Sequence, residues 1–317
     1  MSNRNYSTKD ITGAWDLIQR SRAITLLSHS NPDADGVSAC ATLEHIFKKF
    51  DKSVETIYPS KPETDYKRQP RNTLINKHTQ QPDLIIVIDT ATPQRMYWSP
   101  SFNQIPMINI DHHISNIIKG IFNFINPQSS SACEELYFLL KQWSPGSIDA
   151  YIAQCLLCGI LYDTKIFHTQ STTANTLRIA AELTDYGINL FELESELLSN
   201  KNPSIIALWG KLLSNISFSN KKNAAWITVT QSDLQQFKLT PFATVGLSNF
   251  LCELSDIDIT IVFYETEDGK TKVSLRSRKT DVNKFAAQFG GGGHPNAAGI
   301  LSNKPVKQTV DEITQRL

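Results

Sequence analysis

Three hydrophobic segments of this chain each run into side chains that bind cations. Leu26-Leu27-Ser28 leads directly to His29, Asp33 and Asp35. Leu84–Ile88 delivers Asp89, and Ile105–Ile110 ends in Asp111-His112-His113. Buried strands favour apolar residues and clustered carboxylates repel one another, so packing does not account for the pattern. A pair of divalent cations resolves the conflict. Hard cations take carboxylate oxygens, and imidazole joins them for manganese-like or zinc-like ions. His29, Asp33 and Asp35 fall in a strand-to-helix turn that Pro32 stiffens and Gly36 tightens. Two carboxylates two residues apart in such a turn can point at different cations. Asp89, at the middle of the sheet edge, is placed to bridge both. His112 and one more acid would complete the second site, and Asp163, after the apolar run Cys155–Tyr162, is the candidate.

Each residue alone has a plainer reading. An Asp after a strand is most often a helix N-cap, and Asp35 could cap the helix that follows it. His112-His113 could be a surface pair. The metal reading prevails because the alternative needs independent accidents at every one of these strand ends. Asp111 reads as a carboxylate orienting His112 rather than touching a cation. Cys155-Leu-Leu-Cys158 has ligand-like spacing but lies within an apolar helical run without a partner pair, which is core packing. His45, His78 and His168 lack ligand-spaced partners.

A second constellation lies near the end of the chain, where Gly290, Gly291, Gly292 and Gly293 precede His294 and Ala297-Ala298-Gly299. Consecutive glycines carry a large ordering entropy, so a bland loop seldom uses them. They let main-chain N–H groups crowd around an anion, with His294 as a further donor and a small-residue helix expected to start after it. Arg276-Ser277-Arg278 sets two guanidiniums at period-two spacing, on one face of a strand and suited to forked phosphate binding. The loop lacks the lysine-serine pair of an NTP-hydrolysing P-loop.

The elements that must position these residues follow from periodicity. A helix is expected over 10–21, a strand over 23–28, a helix over 35–50, and strands near 53–58, 84–88 and 106–110. Helices follow at 132–142, 148–161, 173–186, 191–198 and 203–213. Strands at 225–230, 257–264 and 271–277 come next, the last two joined by a hairpin turn at Glu267–Lys270, and a helix at 282–288 leads into the glycines. This is an α/β protein of two domains. Residues 1–200 form a doubly wound, mostly parallel sheet with the dinuclear site off its strand ends. Residues 201–220, with Lys201-Asn202-Pro203 at their start, form a helical linker and hinge. Residues 221–317 form a smaller α/β domain with the glycine-rich loop. The 317 residues carry 31 basic and 31 acidic side chains, so no global positive field exists to grip long duplex nucleic acid. No apolar run reaches membrane-spanning length, and Met1–Tyr6 lacks a signal-peptide core. The five scattered cysteines fit a reducing compartment, so a cytoplasmic protein is expected. The oligomeric state stays open, a homodimer included.

With these motifs in hand, the chain resembles the DHH phosphoesterases, whose namesake tripeptide stands here as Asp111-His112-His113. Arg276-Ser277-Arg278, Gly290–His294 and Ala297-Ala298-Gly299 resemble the substrate-binding domain associated with that family. Size and layout are similar to the stand-alone oligoribonuclease and pAp phosphatase group, the nanoRNases. The resemblance implies a first metal held by His29, Asp33 and Asp89, and a second by Asp35, Asp89, His112 and Asp163. It implies that His113 faces the scissile phosphate, with Asp111 beside it, while Arg276, Ser277, Arg278 and the Gly290–His294 loop hold the rest of a nucleotide. It implies two manganese ions, with magnesium or cobalt as substitutes, and short RNA, dinucleotides or pAp as substrate. The first motif departs from the common pattern, since Asp35 is followed directly by Gly36-Val37-Ser38, a variant reminiscent of RecJ-type exonucleases. The ligands stay intact, but substrate length is left open. Cyclic-dinucleotide hydrolysis, RecJ-like exonuclease action and a non-catalytic nucleotide-binding module remain the other readings.

Overall fold

The computed structural model describes the chain apart from residues 1–3, 5, 63–65, 199–202, 220–222 and 245. Two compact units divide it, Met1–Ser199 and Asn200–Leu317. The first expected linker positions, 201 and 202, and its last, 220, lie outside the described residues.

The first unit runs α1 (Thr8–Arg20), β1 (Ala23–Leu27), α2 (Ala34–Lys49), β2 (Ser53–Tyr58), β3 (Thr73–Ile75), β4 (Leu84–Ile88), β5 (Met107–Asp111), β6 (Phe122–Ile125), α3 (Ala132–Trp143), α4 (Ala150–Asp163), α5 (Ala174–Thr184) and α6 (Leu190–Leu198). Its six strands pair in the order β3-β2-β1-β4-β5-β6, all parallel. Parallel strands covered on both faces need apolar side chains on both, and every residue of β4 is buried. Strand order reverses between β1 and β4. In such sheets the carboxyl ends of the two strands flanking the reversal diverge and leave a crevice. His29 follows β1 and Asp89 follows β4, so the topology aims both at that crevice. The short edge strands β3 and β6 were not expected, because three or four residues carry too little alternation to read.

The second unit runs α7 (Pro203–Ser214), β7 (Ser217–Ser219), β8 (Ala224–Val229), α8 (Gln231–Gln236), α9 (Leu247–Leu251), β9 (Ile259–Glu265), β10 (Thr271–Ser277), α10 (Val282–Ala287), β11 (Gly292–His294), β12 (Ala297–Ser302) and α11 (Val306–Arg316). Its sheet, ordered β11-β12-β10-β9-β8-β7, is antiparallel except between β8 and β9. One face buries Ile227, Val229 and Val262 under Leu208, Trp209 and Leu212 of α7 and Leu247 and Leu251 of α9. The other buries Phe263, Val273, Leu275 and Ile300 against α10 and α11. One expectation fails here. The small residues after His294 open strand β12, not a helix: Ala297, Ala298 and Gly299 pair with Arg276, Leu275 and Ser274. Gly292–His294 are themselves strand β11, paired with Ala297–Gly299. No helix among the described residues is long and apolar enough to cross a membrane.

Candidate active site

Each acidic residue of the crevice is held by a different local device. Asp33 N-caps α2, its Oδ1 accepting from the amides of Asp35 at 3.0 Å and Gly36 at 3.4 Å. The plain alternative for Asp35 therefore belongs to Asp33. Asp35 turns inward and is fully buried, its oxygens accepting from Ala132 N at 2.6 Å and Cys133 N at 3.0 Å. Those amides belong to the first turn of α3, where helix N–H groups have no partner of their own. Behind Asp35, Gly159 of α4 admits the close approach: a Cβ there would lie 2.4 Å from both Asp35 Oδ1 and Cys133 Sγ.

Asp89 sits just past β4 with φ at 53°, a left-handed conformation that non-glycine residues seldom adopt. It lies between two imidazoles, with Oδ2 3.3 Å from His29 Nε2 and Oδ1 3.7 Å from His112 Nε2. His112 Nε2 is also 3.2 Å from Asp163 Oδ2, at the end of α4. Lys165, Ile166 and Phe167 then take φ of 48°, 56° and 64°. A β-branched residue is costly there, so strain is stored immediately beyond Asp163. Three overlapping groups of ligand atoms each lie within 4.8 Å, Asp89/Asp111/His112/His113, His29/Asp33/Asp89 and Asp35/His112/Asp163, and the last two combine carboxylates with a single imidazole.

The charges conflict as packed. Burial, followed by the Asp89 and Asp33 carboxylates, pushes Asp35 up to about 8. Burial likewise raises Asp89 and Asp163. Burial works against the charged form of His29, yet hydrogen bonds to Asp33 and Asp89 lift it to about 10. Protons are thus retained to relieve crowded negative charge, a role that divalent cations fill better. The donor set, carboxylate oxygens plus one imidazole in each of the His29/Asp33/Asp89 and Asp35/His112/Asp163 groups, fits hard-to-borderline divalent ions.

Asp111 has a different task from the one expected. Its Oδ1 accepts from His113 Nδ1 at 2.7 Å, so it orients the second histidine's ring and touches His112 only through the backbone amide at 2.7 Å. The hydrogen bond to Asp111 raises His113 despite burial. For Asp111, burial is outweighed chiefly by that same bond, and its carboxyl is held low. Asn116, which sequence reasoning passed over, locks the pair. Its Nδ2 donates to Asp111 Oδ2 and, at 3.0 Å, to the Thr90 carbonyl. Its Oδ1 accepts from Ile118 N at 2.8 Å and Asn109 Nδ2 at 3.1 Å. The signal available was Asn109, a polar residue inside an otherwise apolar strand. Arg95, Ser129 and Ser130 also line this 360 Å³ crevice, whereas His168 does not.

In the second unit, residues paired across antiparallel strands share a face. One row therefore reads His294, Ala297, Arg276 and Thr260, and the next Gly292, Gly299, Ser274 and Val262. Arg276 borders a 710 Å³ cavity with Lys272, Ser274, Tyr264 and Ser248. Arg278 does not join it. It lies past the end of β10, donates to the Cys252 carbonyl, and its amide donates to Asp258. Ser277 faces the other way and is buried, its Oγ donating to Asp258 Oδ1 at 2.9 Å. The glycines divide by role. A Cβ on Gly291 would lie 2.2 Å from the Gly299 carbonyl, and one on Gly293 2.4 Å from the Ala297 carbonyl, so both are steric necessities. Gly290 has φ at 73°. Gly292 and Gly299 would each admit a Cβ at 3.6 Å or more, so no close contact demands glycine there.

Residues 23–160 match the DHH family, N-terminal domain, and residues 221–317 match the DHHA1 domain. A probable bifunctional oligoribonuclease and PAP phosphatase, NrnA, of Streptococcus mutans is 30% identical over 88% of this chain and 89% of its own length. The chain belongs to the DHH family. The bifunctional oligoribonuclease and PAP phosphatase NrnA of Bacillus subtilis is 27% identical to this DHH protein over 87% of the chain and 88% of that relative. Among solved structures, an exopolyphosphatase-related protein from Bacteroides fragilis superposes with a TM-score of 0.88 at 23% identity, covering 99% of this chain and 96% of that one. That likeness is one of fold.

Proposed function

We propose that this DHH protein is a metal-dependent phosphoesterase that hydrolyses short oligoribonucleotides, dinucleotides above all, and pAp to mononucleotides. The observation that carries the reading is the pair of ligand sets in one crevice, with His113 beside them on a rigid Asp111–Asn116 support. The relatives named for oligoribonuclease and PAP phosphatase activity, matched over nearly the full chain, support the substrate class. His29, Asp33 and Asp89 would hold one cation, and Asp35, His112 and Asp163 the other, with Asp89 reaching toward both. Bound there, divalent cations supply Lewis acidity at the phosphoryl group and lower the pKa of the attacking water. Manganese is the cation we assign. His113, kept protonated to higher pH by Asp111, donates a hydrogen bond to the phosphoryl oxygens as their charge grows. In the second unit, the Arg276 cavity and the bare Gly292–Gly299 row take the remaining base and ribose. The five free cysteines favour the cytoplasm as the setting.

The test is release of mononucleotide from a labelled dinucleotide with manganese, with and without chelator. Manganese-dependent release abolished by chelation is expected. Chelator-insensitive turnover would refute the metal mechanism, and turnover of phosphoesters without any nucleotide preference would refute the substrate class.

A further inference from the structure

We infer that Arg95 is a substrate-contacting residue, a guanidinium that binds the phosphoryl group in the crevice. This rests on the proposed phosphoesterase reading. Arg95 is the one lysine or arginine among the side chains lining the crevice, and it stands beside Asp33, Asp89 and Asp163. Among the described residues no ion pair joins it to a carboxylate, and its Nη2 lies 2.9 Å from His29 Nδ1. The same Nδ1 lies 2.9 Å from the Ser30 carbonyl. One ring nitrogen cannot accept from a guanidinium and donate to a carbonyl at once. When an imidazole holds a cation through Nε2, its ring proton sits on Nδ1, which must then donate. Ser30 O can accept that proton, but Arg95 has donors only. With a cation on Nε2, or with both ring protons kept beside Asp33 and Asp89, His29 therefore offers Arg95 no acceptor.

The backbone around Arg95 is anchored at the crevice. Ser30 N donates to the Arg95 carbonyl at 2.7 Å, and His29 and Met96 form an antiparallel bridge. The guanidinium thus stays at the crevice wall, and only its side chain needs to turn. Phosphate oxygens are the acceptors a planar fork of donors fits best. An arginine serving merely to hold His29 would lose its partner in the working, metal-loaded state.

The experiment uses the full chain as wild type, Arg95→Ala and Arg95→Lys. Calorimetry with manganese alone reads the first consequence: Arg95→Ala binds the ion as tightly as wild type or more tightly, because a positive charge beside the site is gone. Calorimetry with AMP on the manganese-loaded proteins reads the second. Affinity falls by roughly ten- to a hundredfold in Arg95→Ala, the loss of one or two charge-assisted bonds, and Arg95→Lys recovers part of it. kcat/KM for the dinucleotide falls by a similar factor. Weakened manganese binding in Arg95→Ala would overturn the inference and make Arg95 a support for His29. Unchanged AMP affinity would overturn it as well. If wild type releases no mononucleotide, the phosphoesterase reading falls, and the AMP titration alone still decides the role of Arg95.

Discussion

At the scale of single residues, the crevice separates side chains that would touch cations from those that aim them. Asn116 is the clearest of the second kind. Its amide group meets Asp111, Thr90, Ile118 and Asn109, so every polar atom of the side chain is used. Asn116→Ala should leave manganese affinity near wild type and lower kcat by roughly ten- to a hundredfold, the usual effect of losing an outer partner of a working group. It should also cost about 1–3 kcal/mol of stability, because Asp111 and Asn109 lose buried partners. Parallel manganese titration and steady-state kinetics check this, and an unchanged kcat would show that His113 needs no such support. The carboxylates and histidines could be read from the sequence because they stand at the ends of apolar runs, where their types conflict with burial. Asn116 and Arg95 could not. Their roles arise from hydrogen bonds across loops, which leave no spacing rule in the chain, and the same blindness assigned Asp111 to the wrong histidine.

At the scale of elements, α4 meets the site through its C-terminal half. Its N-cap is Asp149, whose side chain accepts from Ile152 N at 2.9 Å. Its last residue is Asp163, and Gly159 in between lies against Asp35. Alanine ordinarily improves a helix over glycine by about 1 kcal/mol. At position 159 the overlap with Asp35 and Cys133 reverses the sign, since overpacking costs about 1–3 kcal/mol. Gly159→Ala should therefore be less stable than wild type and bind manganese more weakly as Asp35 is displaced. Chemical denaturation and calorimetry measure the two effects, and a stabilised variant with normal metal binding would contradict the packing argument. At the other end, partial burial opposes ionisation of Asp149, but Lys49, the Ile152 amide and His45 hold it down to about 2. That lies below the unfolded value of about 3.9, so the stabilisation is present above that value and is lost as pH falls through the folded one. Removing the cap with Asp149→Ala should cost about 1 kcal/mol near neutral pH. Urea titrations from about pH 6 to about pH 3 should find the gap between variant and wild type narrowing toward the acid end. A gap that widened in acid would mean the cap does not depend on the carboxylate's charge. The helices of the first unit, α7 and α10 were legible from periodicity, whereas α8, α9 and α11 were not expected. Strand β12 was not legible either, because Ala297-Ala298-Gly299 has no alternation, and only pairing with β10 makes it a strand.

At the scale of the whole molecule, two units have separate cores, and the glycines give a way to test the proposed division of chemistry and recognition between them. Gly293 is required by the fold, since its Cβ would overlap the Ala297 carbonyl. Gly299 is not, since a Cβ there meets nothing nearer than Val273 O at 3.6 Å. A valine at 299 suits a strand, and losing a glycine reduces the entropy of the unfolded chain. Gly299→Val should thus fold at least as well as wild type, whereas Gly293→Val should be destabilised. Yet position 299 lies on the same face as Ser274 and Arg276, beside Gly292, where the absence of side chains leaves a flat surface. A branched side chain standing on that surface should exclude a base or ribose. KM for a dinucleotide should rise by about tenfold or more, equivalent to about 1.4 kcal/mol of lost binding. Hydrolysis of bis-p-nitrophenyl phosphate, which draws its binding from the metal crevice alone, should hardly change. Arg276→Ala should show the same selectivity through loss of charge instead of loss of space. If Gly299→Val slowed both substrates equally, the second unit would be acting on the chemistry itself. If it slowed neither, the bare Gly292–Gly299 row would be no part of the nucleotide site.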